Sequence, residues 1–123
     1  MIETKIFAHL NTSTAITITS SISTRIYPII VPQESAYPAI TYTRISGGIQ
    51  NDLQGYSNLE NPLIVIDVWA ASYKEAKNLS TRVHTVMGNA TGFSALLISD
   101  GDDYIPELDI YKVSMDFSCW NKE

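Results

Sequence analysis

The residue types that most often carry out chemistry are scarce in this chain. It contains only two histidines, His9 and His84. His9 falls beside apolar residues in a predicted helix, and His84 falls on the flank of the apolar stripe of a second predicted helix. Neither the His-Glu-x-x-His spacing nor the paired cysteines of zinc sites accompany them. We therefore predict structural or surface roles for both histidines and no metal site.

The single cysteine, Cys119, lacks the surroundings of a nucleophile. A catalytic thiol needs a nearby histidine and a lowered pKa, whereas Cys119 occupies an inward position of the last predicted strand. We therefore predict a packed thiol. One cysteine also excludes an intrachain disulfide, which is consistent with a reducing compartment.

Other catalytic and cofactor-binding motifs are missing from the sequence. No G-x-S-x-G nucleophile elbow occurs. The Ser-Gly-Gly of residues 46–48 is not followed by the Gly-Lys-Ser/Thr of a phosphate-binding loop. We therefore expect no catalytic residues and no cofactor, and a binding or structural role is the default by elimination.

Three carboxylates cluster in the run Asp-Gly-Asp-Asp of residues 100–103. Carboxylates beside a glycine can bind calcium, but the further ligands and distal glutamate of an EF-hand loop are absent. We therefore predict an ordinary acidic turn. The formal net charge is −5 and the eight Lys and Arg residues are scattered, so no basic stripe predicts tight binding to a phosphate backbone.

The elements that must position these residues begin with a helix and two strands interrupted by prolines. Apolar residues at helical spacing predict a helix over residues 2–10, whereas residues 15–23 fit a strand or a frayed helix. Residues 25–31 and 39–46 predict short strands. Because Pro28 lacks a backbone donor, the first strand should lie at a sheet edge, or Pro28 at a bulge or strand end.

Residues 46–62 are rich in Gly, Asn and Gln without a regular pattern, which predicts a long loop. Long loops in small domains often carry function. Leu53, Tyr56 and Leu59 are apolar residues in this polar segment, and they are expected to be buried against another molecule. We predict an interface formed by Asp52, Leu53, Tyr56 and Leu59. The alternative is that these side chains fold back on their own domain.

The second half of the chain shows the clearest strand periodicity. Residues 63–70 predict a buried central strand, and residues 109–120 predict a final strand with one buried and one wet face. Residues 95–99 predict a brief strand between them. The inward positions of the two longer strands are Ile64, Ile66, Val68, Tyr111, Val113, Met115, Phe117 and Cys119.

A helix is predicted between these strands. Ser72 and Glu75 have the spacing of a capping box, which marks a helix start. Gly88 is placed to end the helix in the left-handed conformation. The apolar stripe of this helix comprises Ala76, Leu79, Val83, Val86 and Met87.

The order helix, strands, helix, strands argues for an α+β domain, in which a mostly antiparallel sheet packs two principal helices on one face. The length of 123 residues fits one domain over residues 1–123. No apolar run approaches the length of a membrane span, and the first residues lack the pattern of a secretory signal. We therefore expect no second domain and no membrane partner.

Four segments occur in the order MIETKIFAHL, TRIYPIIVPQESAYPAITYTRIS, NPLIVIDVWAASYKEAKNLSTRVHTVM and DIYKVSMDFSCW. Together they cover most of the chain, and their most specific part is RIYP…PxxxxxP followed by IDVWAxSYxEAxxL at this spacing. In these segments the chain resembles the tail completion proteins of long-tailed phages, also called tail-to-head joining or tail terminator proteins.

The resemblance implies a small α+β fold and favours a helical or turn-like Ala15–Ser23. It also implies a virion protein, assembled in the host cytoplasm, that forms a ring, typically a hexamer, at the head-proximal end of the tail. Such a ring stops tail-tube polymerisation and contacts the tail tube protein and the head completion or connector proteins. The family has no catalytic residues. We also expect DNA to slide through without specific binding, because an acidic chain can line such a channel.

Two other functions stay open at this point. The first is a related assembly component, either a head-side connector or a tail-tube subunit. The second is a small enzyme or ligand-binding domain, which predicts a deep apolar pocket with convergent polar groups and perturbed pKa values. The sequence offers no set of residues for such a pocket.

Overall fold

The computed structural model describes residues 2–12, 26–31, 37–46, 49–52, 55–89 and 93–122. The expectation for Ala15–Ser23 lies outside the described residues. Two helices and seven strands follow one another in the described chain. In chain order they are α1 (Ile2–Thr12), β1 (Ile26–Pro28), β2 (Ala39–Ser46), β3 (Ile49–Asp52), β4 (Gly55–Glu60), β5 (Leu63–Ala70), α2 (Tyr73–Gly88), β6 (Ser94–Ile105) and β7 (Ile110–Lys122).

The seven strands form one sheet, with the pairing order β1-β2-β5-β7-β4-β3. β5 and β4 pair one after the other with the same edge of β7, and β6 pairs with the opposite edge. Only the β1–β2 pairing is parallel among the described strands. β1 lies at an end of this order and Pro28 is its last residue, so both predictions about Pro28, sheet edge and strand end, are confirmed. The missing N–H of proline is harmless there.

β2 and β3, and likewise β4 and β5, follow each other along one long antiparallel hairpin. The predicted loop over residues 46–62 is therefore wrong. The polar side chains of this segment show no apolar–polar alternation. Strand pairing nevertheless uses backbone groups, so the hydrogen-bond ladders continue through this segment. At the join between β4 and β5, Cys119 N–H donates to the Pro62 carbonyl at 3.0 Å, and Asn61 Nδ2 donates to the Cys119 carbonyl at 3.1 Å.

β6 has 12 residues and is much longer than the brief strand predicted. Asp100 to Asp103 pair with Met115 to Lys112 of β7, so the prediction of an acidic turn is wrong. The carboxylates stay exposed on this edge strand while β7 supplies the backbone ladder. The turn instead occupies residues 106–109.

The core lies between one face of the sheet and the two helices. α1 buries Ile6 and Leu10, and α2 buries its entire predicted stripe. The predicted alternation of β5 and β7 is confirmed, with Tyr111 half-buried. The α+β prediction is therefore confirmed. The buried sheet residues of this core are Ile26, Ile40, Ile64, Ile66, Val68, Ala70, Val113, Met115, Phe117 and Cys119.

The start of α2 is confirmed, whereas its end differs from the prediction. Ser72 Oγ accepts a hydrogen bond from Glu75 N–H at 3.2 Å, which satisfies one donor of the first turn. Gly88 belongs to the helix, and the C-cap is Asn89 with a φ of −102°. Because the Asn89 N–H bonds the carbonyls of Val86 and Met87, the helix ends without a left-handed residue.

Candidate assembly surfaces

The face of the sheet opposite the core carries neither of the two described helices. Because side chains alternate along a strand, this open face consists of the residues between the buried ones. Most of them are half-buried against their neighbours on the sheet. On β2, β5 and β7 they are Thr41, Thr43, Leu63, Val65, Asp67, Trp69, Lys112, Ser114, Asp116, Ser118 and Trp120.

Polar side chains on the open face are paired with one another across the strands. Part of their hydrogen-bonding capacity is thus satisfied within the protein, which lowers the cost of removing water from this surface. The hydrogen bonds are Trp69 Nε1–H to Thr41 Oγ1 at 3.0 Å, Ser114 Oγ–H to Asp67 Oδ1 at 2.6 Å, and Ser99 Oγ–H to Asp116 Oδ2 at 2.9 Å.

Apolar side chains gather at the end of the open face nearest the β3–β4 hairpin. Leu63 and Leu96 flank Ser118 in one cross-strand row, and Trp120 follows on the same face of β7. Leu96 is 67% exposed, Ile98 59% and Trp120 42%. We call Leu63, Leu96 and Trp120 the apolar patch, and Ile98 lies at the adjoining bulge of β6. Large apolar side chains exposed together typically mark an interaction surface.

Two β-bulges border this end of the sheet. One lies at Ile45 in β2 and the other at Ile98 in β6. Each bulge therefore presents an isoleucine, and the two residues are 58% and 59% exposed. Bulges re-aim side chains and often lie beside functional sites, so both support an interaction surface here.

A second exposed apolar feature, the Ile29–Ile30 turn, follows β1 at the opposite edge of the sheet. Ile29 has a positive φ of 67°, which β-branched residues rarely adopt and which costs about 1–3 kcal/mol. Ile29 N–H donates to the Tyr42 carbonyl at 2.9 Å, and Ile30 N–H donates to the Pro28 carbonyl at 2.7 Å. The two isoleucines are 72% and 70% exposed. The backbone thus holds two large apolar side chains in solvent.

The third feature is a shallow, open pocket of about 330 Å³ between the start of α2 and the β6–β7 hairpin. Its tyrosine rings are in contact, with centroids 4.9 Å apart for Tyr104 and Tyr111 and 5.9 Å apart for Tyr73 and Tyr111. A deep apolar cavity is what a ligand-binding domain would need, and this pocket does not provide one. Its lining residues are Tyr73, Asp102, Asp103, Tyr104 and Tyr111.

Hydrogen bonds orient the side chains of this pocket. Tyr73 OH donates to Asp102 at 2.7 Å, and Lys77 Nζ donates to the same carboxylate at 3.2 Å. These bonds lower the pKa of Asp102 and raise the pKa values of Tyr73 and Lys77. A hydrogen bond to Asp109 likewise raises the pKa of Tyr104. Each shift moves the pKa away from neutrality, which is the opposite of what general acid–base catalysis requires.

The structure places the predicted interface residues on the β3–β4 hairpin rather than on a loop. Asp52 ends β3, and Tyr56 and Leu59 lie on β4. Leu53 lies outside the described residues. The backbone pairing sets Leu59 opposite Gln50. Participation of these four residues in an interface stays a prediction.

The remaining chemical candidates have structural positions. His9 Nε2 donates to the Val86 carbonyl at 2.7 Å and so ties α1 to the last turn of α2. His84 lies 6.5 Å from the Phe117 ring. Cys119 is a buried free thiol, and its burial raises its pKa to about 12, which agrees with the predicted packed thiol. Across the described ranges, no group of three metal-ligating side chains occurs.

The sequence reasoning missed both the apolar patch and the Ile29–Ile30 turn. A signal for the patch was present, because residues 95–98 are all apolar and a strand there must expose some of them. The turn left no such signal, since its conformation depends on a hydrogen bond to Tyr42 on another strand. None of the described helices combines the length and apolar character needed to cross a membrane.

The sequence matches a protein family, and the fold matches solved structures. The model of the family described as Tail completion protein gp17 matches residues 4–122. No curated protein matches the chain. Among solved structures, 28 chains match. One is a chain of the virion of a native gene transfer agent (GTA) particle, with a TM-score of 0.72 and 13% sequence identity over 96% of this chain and 92% of that chain. At this identity the likeness establishes a shared fold.

Proposed function

This chain belongs to the tail completion protein gp17 family, and from that premise we propose its function. It forms a ring, most simply a hexamer, at the head-proximal end of a phage tail. The ring ends the tail tube and joins the tail to the head. As a member of the family, the chain is a structural protein of a phage tail and a component of the virion.

The observation that carries this proposal is the extent of the family match. Residues 4–122 include every strand and nearly all of both helices of the described fold. The exposed apolar patch and the Ile29–Ile30 turn support it further, because a protein that assembles needs surfaces that remain uncovered in the isolated subunit.

The proposed partners are other copies of the chain, the tail tube protein and the head completion or connector proteins. A solved chain of the same fold belongs to a phage-like particle, which is consistent with such neighbours. The role requires positioning and contact rather than catalysis. With a formal net charge of −5, the ring would let DNA pass without gripping its phosphates.

The test begins with the absolute mass of the protein, measured by light scattering over a wide concentration range. Negative-stain images of any large species follow, and then incubation with purified tail tubes. Hexamer-sized rings, or caps at one end of the tubes, support the proposal. Monomers that cap no tubes contradict it.

The same experiment separates the tail-end role from that of a head-side connector. A connector binds the head vertex and leaves tail tubes uncapped, whereas the proposed ring binds tube ends before heads are added. A tube subunit instead lengthens tubes. Each outcome is visible in the same images.

A further inference from the structure

We propose that the shallow pocket between α2 and the β6–β7 hairpin binds an arginine side chain of another protein. Three tyrosine rings and two carboxylates line this pocket. Aromatic ring faces attract cations, and a carboxylate beside a ring can form charge-assisted hydrogen bonds with a guanidinium group. The inference concerns a site that the proposed ring does not use, and it holds or fails independently of ring formation.

The α2 end of the pocket already binds a cation of the protein itself. Lys77 Nζ lies 5.9 Å from the centroid of the Tyr73 ring and donates to Asp102 Oδ1 at 3.2 Å. Tyr73 OH donates to Oδ2 of the same carboxylate at 2.7 Å. A tyrosine ring and the carboxylate that its hydroxyl orients therefore act together as a cation-binding pair.

The hairpin end of the pocket repeats this pair of groups. Tyr104 OH donates to Asp109 Oδ1 at 2.6 Å, as Tyr73 OH does to Asp102. The Tyr104 ring is 42% exposed, and its centroid lies 4.9 Å from that of Tyr111. In the part of the chain that the structure describes, no lysine or arginine forms an ion pair with Asp109. The second pair therefore presents a ring and a carboxylate to a cation from outside.

The lysine closest to this second pair along β7 is held on the other face of the sheet. Lys112 is the cross-strand partner of Asp103, but its Nζ lies over the Trp69 ring at 5.2 Å from the centroid. Because side chains alternate along a strand, Lys112 and Tyr111 point to opposite faces. Lys112 is thus directed away from the tyrosine rings of the pocket.

The charge of the β6–β7 hairpin favours a cationic partner. Residues 100–109 contain five of the thirteen Asp and Glu residues of the chain and no Lys or Arg. Lys77 offsets only the charge of Asp102. The field of this segment therefore attracts a basic side chain and repels the phosphates of DNA, so the partner is a protein rather than a nucleic acid.

The shape of the pocket suits the end of one side chain. A volume of about 330 Å³ that is open to solvent does not enclose a free small molecule, but a side chain anchored on a partner needs no enclosure. The guanidinium group of arginine is planar, so it can stack on a tyrosine ring while its N–H groups reach a carboxylate beside that ring. The ammonium group of lysine has no such plane, and arginine is therefore the better fit.

The test is a titration of the full-length protein with three blocked tripeptides, in which arginine, lysine or citrulline stands between two glycines. Citrulline has nearly the shape of arginine but no charge. Binding is followed by NMR through the ring signals of Tyr104 and Tyr111. The arginine peptide is expected to bind about tenfold more tightly than the citrulline peptide, with the lysine peptide between them. Equal binding of the arginine and citrulline peptides, or unchanged ring signals, overturns the proposal.

Asp109→Asn removes the charge of the second pair with little disturbance of the turn. Asp109 has a φ of 52°, which asparagine also tolerates, and the amide oxygen can still accept from Tyr104 OH. The matched control is Asp116→Asn, which makes the same charge change on the open face and keeps an acceptor for Ser99. Asp109→Asn is expected to weaken the arginine peptide about tenfold, and Asp116→Asn by less than about twofold.

Tyr104→Leu tests the contribution of the ring in the same titration. The variant keeps an apolar side chain but loses the aromatic face, so it is expected to bind the arginine peptide and the citrulline peptide equally. Thermal unfolding of each variant verifies that it is folded. Equal weakening by Asp109→Asn and Asp116→Asn would show that only the net charge of the protein matters, and this result overturns the proposal.

A titration with calcium chloride separates an arginine site from a metal site. Calcium that shifts the ring signals where the arginine peptide does not would show that the carboxylates bind a metal ion, and the proposal would be wrong. Failure of the arginine peptide leaves the proposed function standing, since none of these measurements involves assembly. Absence of rings and of capped tubes overturns the function and leaves the arginine site standing.

Discussion

The two faces of one sheet differ in what covers them. On β5 and β7, the side chains of Ile64, Val113 and Phe117 are buried in the core between the sheet and the helices α1 and α2. The residues between them reach the open face, where hydroxyls and carboxylates pair across strands and Trp120 remains 42% exposed. Both faces are parts of the same strands, so local propensity cannot account for the difference.

The comparison shows how one set of strands can serve folding and assembly separately. Burial of the inner face stabilises the subunit. The open face is hydrogen-bonded within itself and leaves Leu96 and Trp120 exposed, so these two side chains add little to the stability of the subunit and suit contact with a partner. Substitutions on the two faces should therefore separate stability from assembly.

The largest expected effect comes from Phe117→Ala on the inner face. Phe117 is 1% exposed, and truncation of a buried phenylalanine costs about 3–5 kcal/mol. Trp120→Ala, three residues away on the open face, should change the free energy of unfolding by less than about 1 kcal/mol. Urea denaturation followed by circular dichroism measures both. Equal losses of unfolding free energy in the two variants would show that the two faces contribute equally to stability.

The second effect is an alkaline loss of stability through the inner-face thiol. Burial raises the pKa of Cys119 from 9.0 to about 12, so the folded state retains a proton that the unfolded state loses. Stability is therefore fully present below pH 9 and falls as the pH rises toward 12, by something of the order of 4 kcal/mol.

Cys119→Ala provides the control for this pH dependence. The variant lacks the thiol, so the difference between its stability curve and that of the unmodified protein isolates the contribution of Cys119. Parallel curves between pH 9 and 11 would show that the thiol is ionised as easily in the folded state as in the unfolded one.

A smaller effect is expected from Ser72→Ala at the start of α2. Ser72 Oγ accepts from Glu75 N–H, and loss of such a cap costs about 1 kcal/mol. Thermal unfolding should show a lower midpoint, and the proposed ring should still form, because the change lies on the helix side of the sheet. Lost assembly with unchanged stability would place a contact at this helix end.

The smallest effect is expected from Asp102→Asn in the shallow pocket between α2 and the β6–β7 hairpin. Its hydrogen bonds from Tyr73 and Lys77 lower the pKa of Asp102, so the contribution of this carboxylate is present above its ordinary pKa near 3.8 and lost as the pH falls through the lowered value. The group is exposed, and solvent screening keeps the effect below about 0.5 kcal/mol. Acid denaturation curves of the two proteins should nearly coincide, and a large separation would reveal a stronger coupling than the exposed geometry implies.

Several elements were predictable from the sequence because their signals are local. The stripe of α2 and the alternation of β5 and β7 record which side chains face an apolar interior. The Ser72 cap and the edge position of Pro28 follow from backbone donors that each residue satisfies or lacks. Membership of the family was likewise visible in the order of four sequence segments.

Other elements depend on partners that are distant along the chain. β3, β4 and the acidic half of β6 become strands because a neighbouring ladder continues past them, whatever their side chains. The conformation of Ile29 depends on the Tyr42 carbonyl on β2, and no local preference of isoleucine favours it.

The sequence by itself thus determined the buried pattern, the fold class and the family of this protein. Only the tertiary structure decided where the long hairpin forms, which exposed apolar side chains lie together and which edge of the sheet carries the strained turn. The physical reason is that burial preference is a property of each side chain by itself. Register and exposure instead arise from backbone hydrogen bonds between strands that are far apart in the chain.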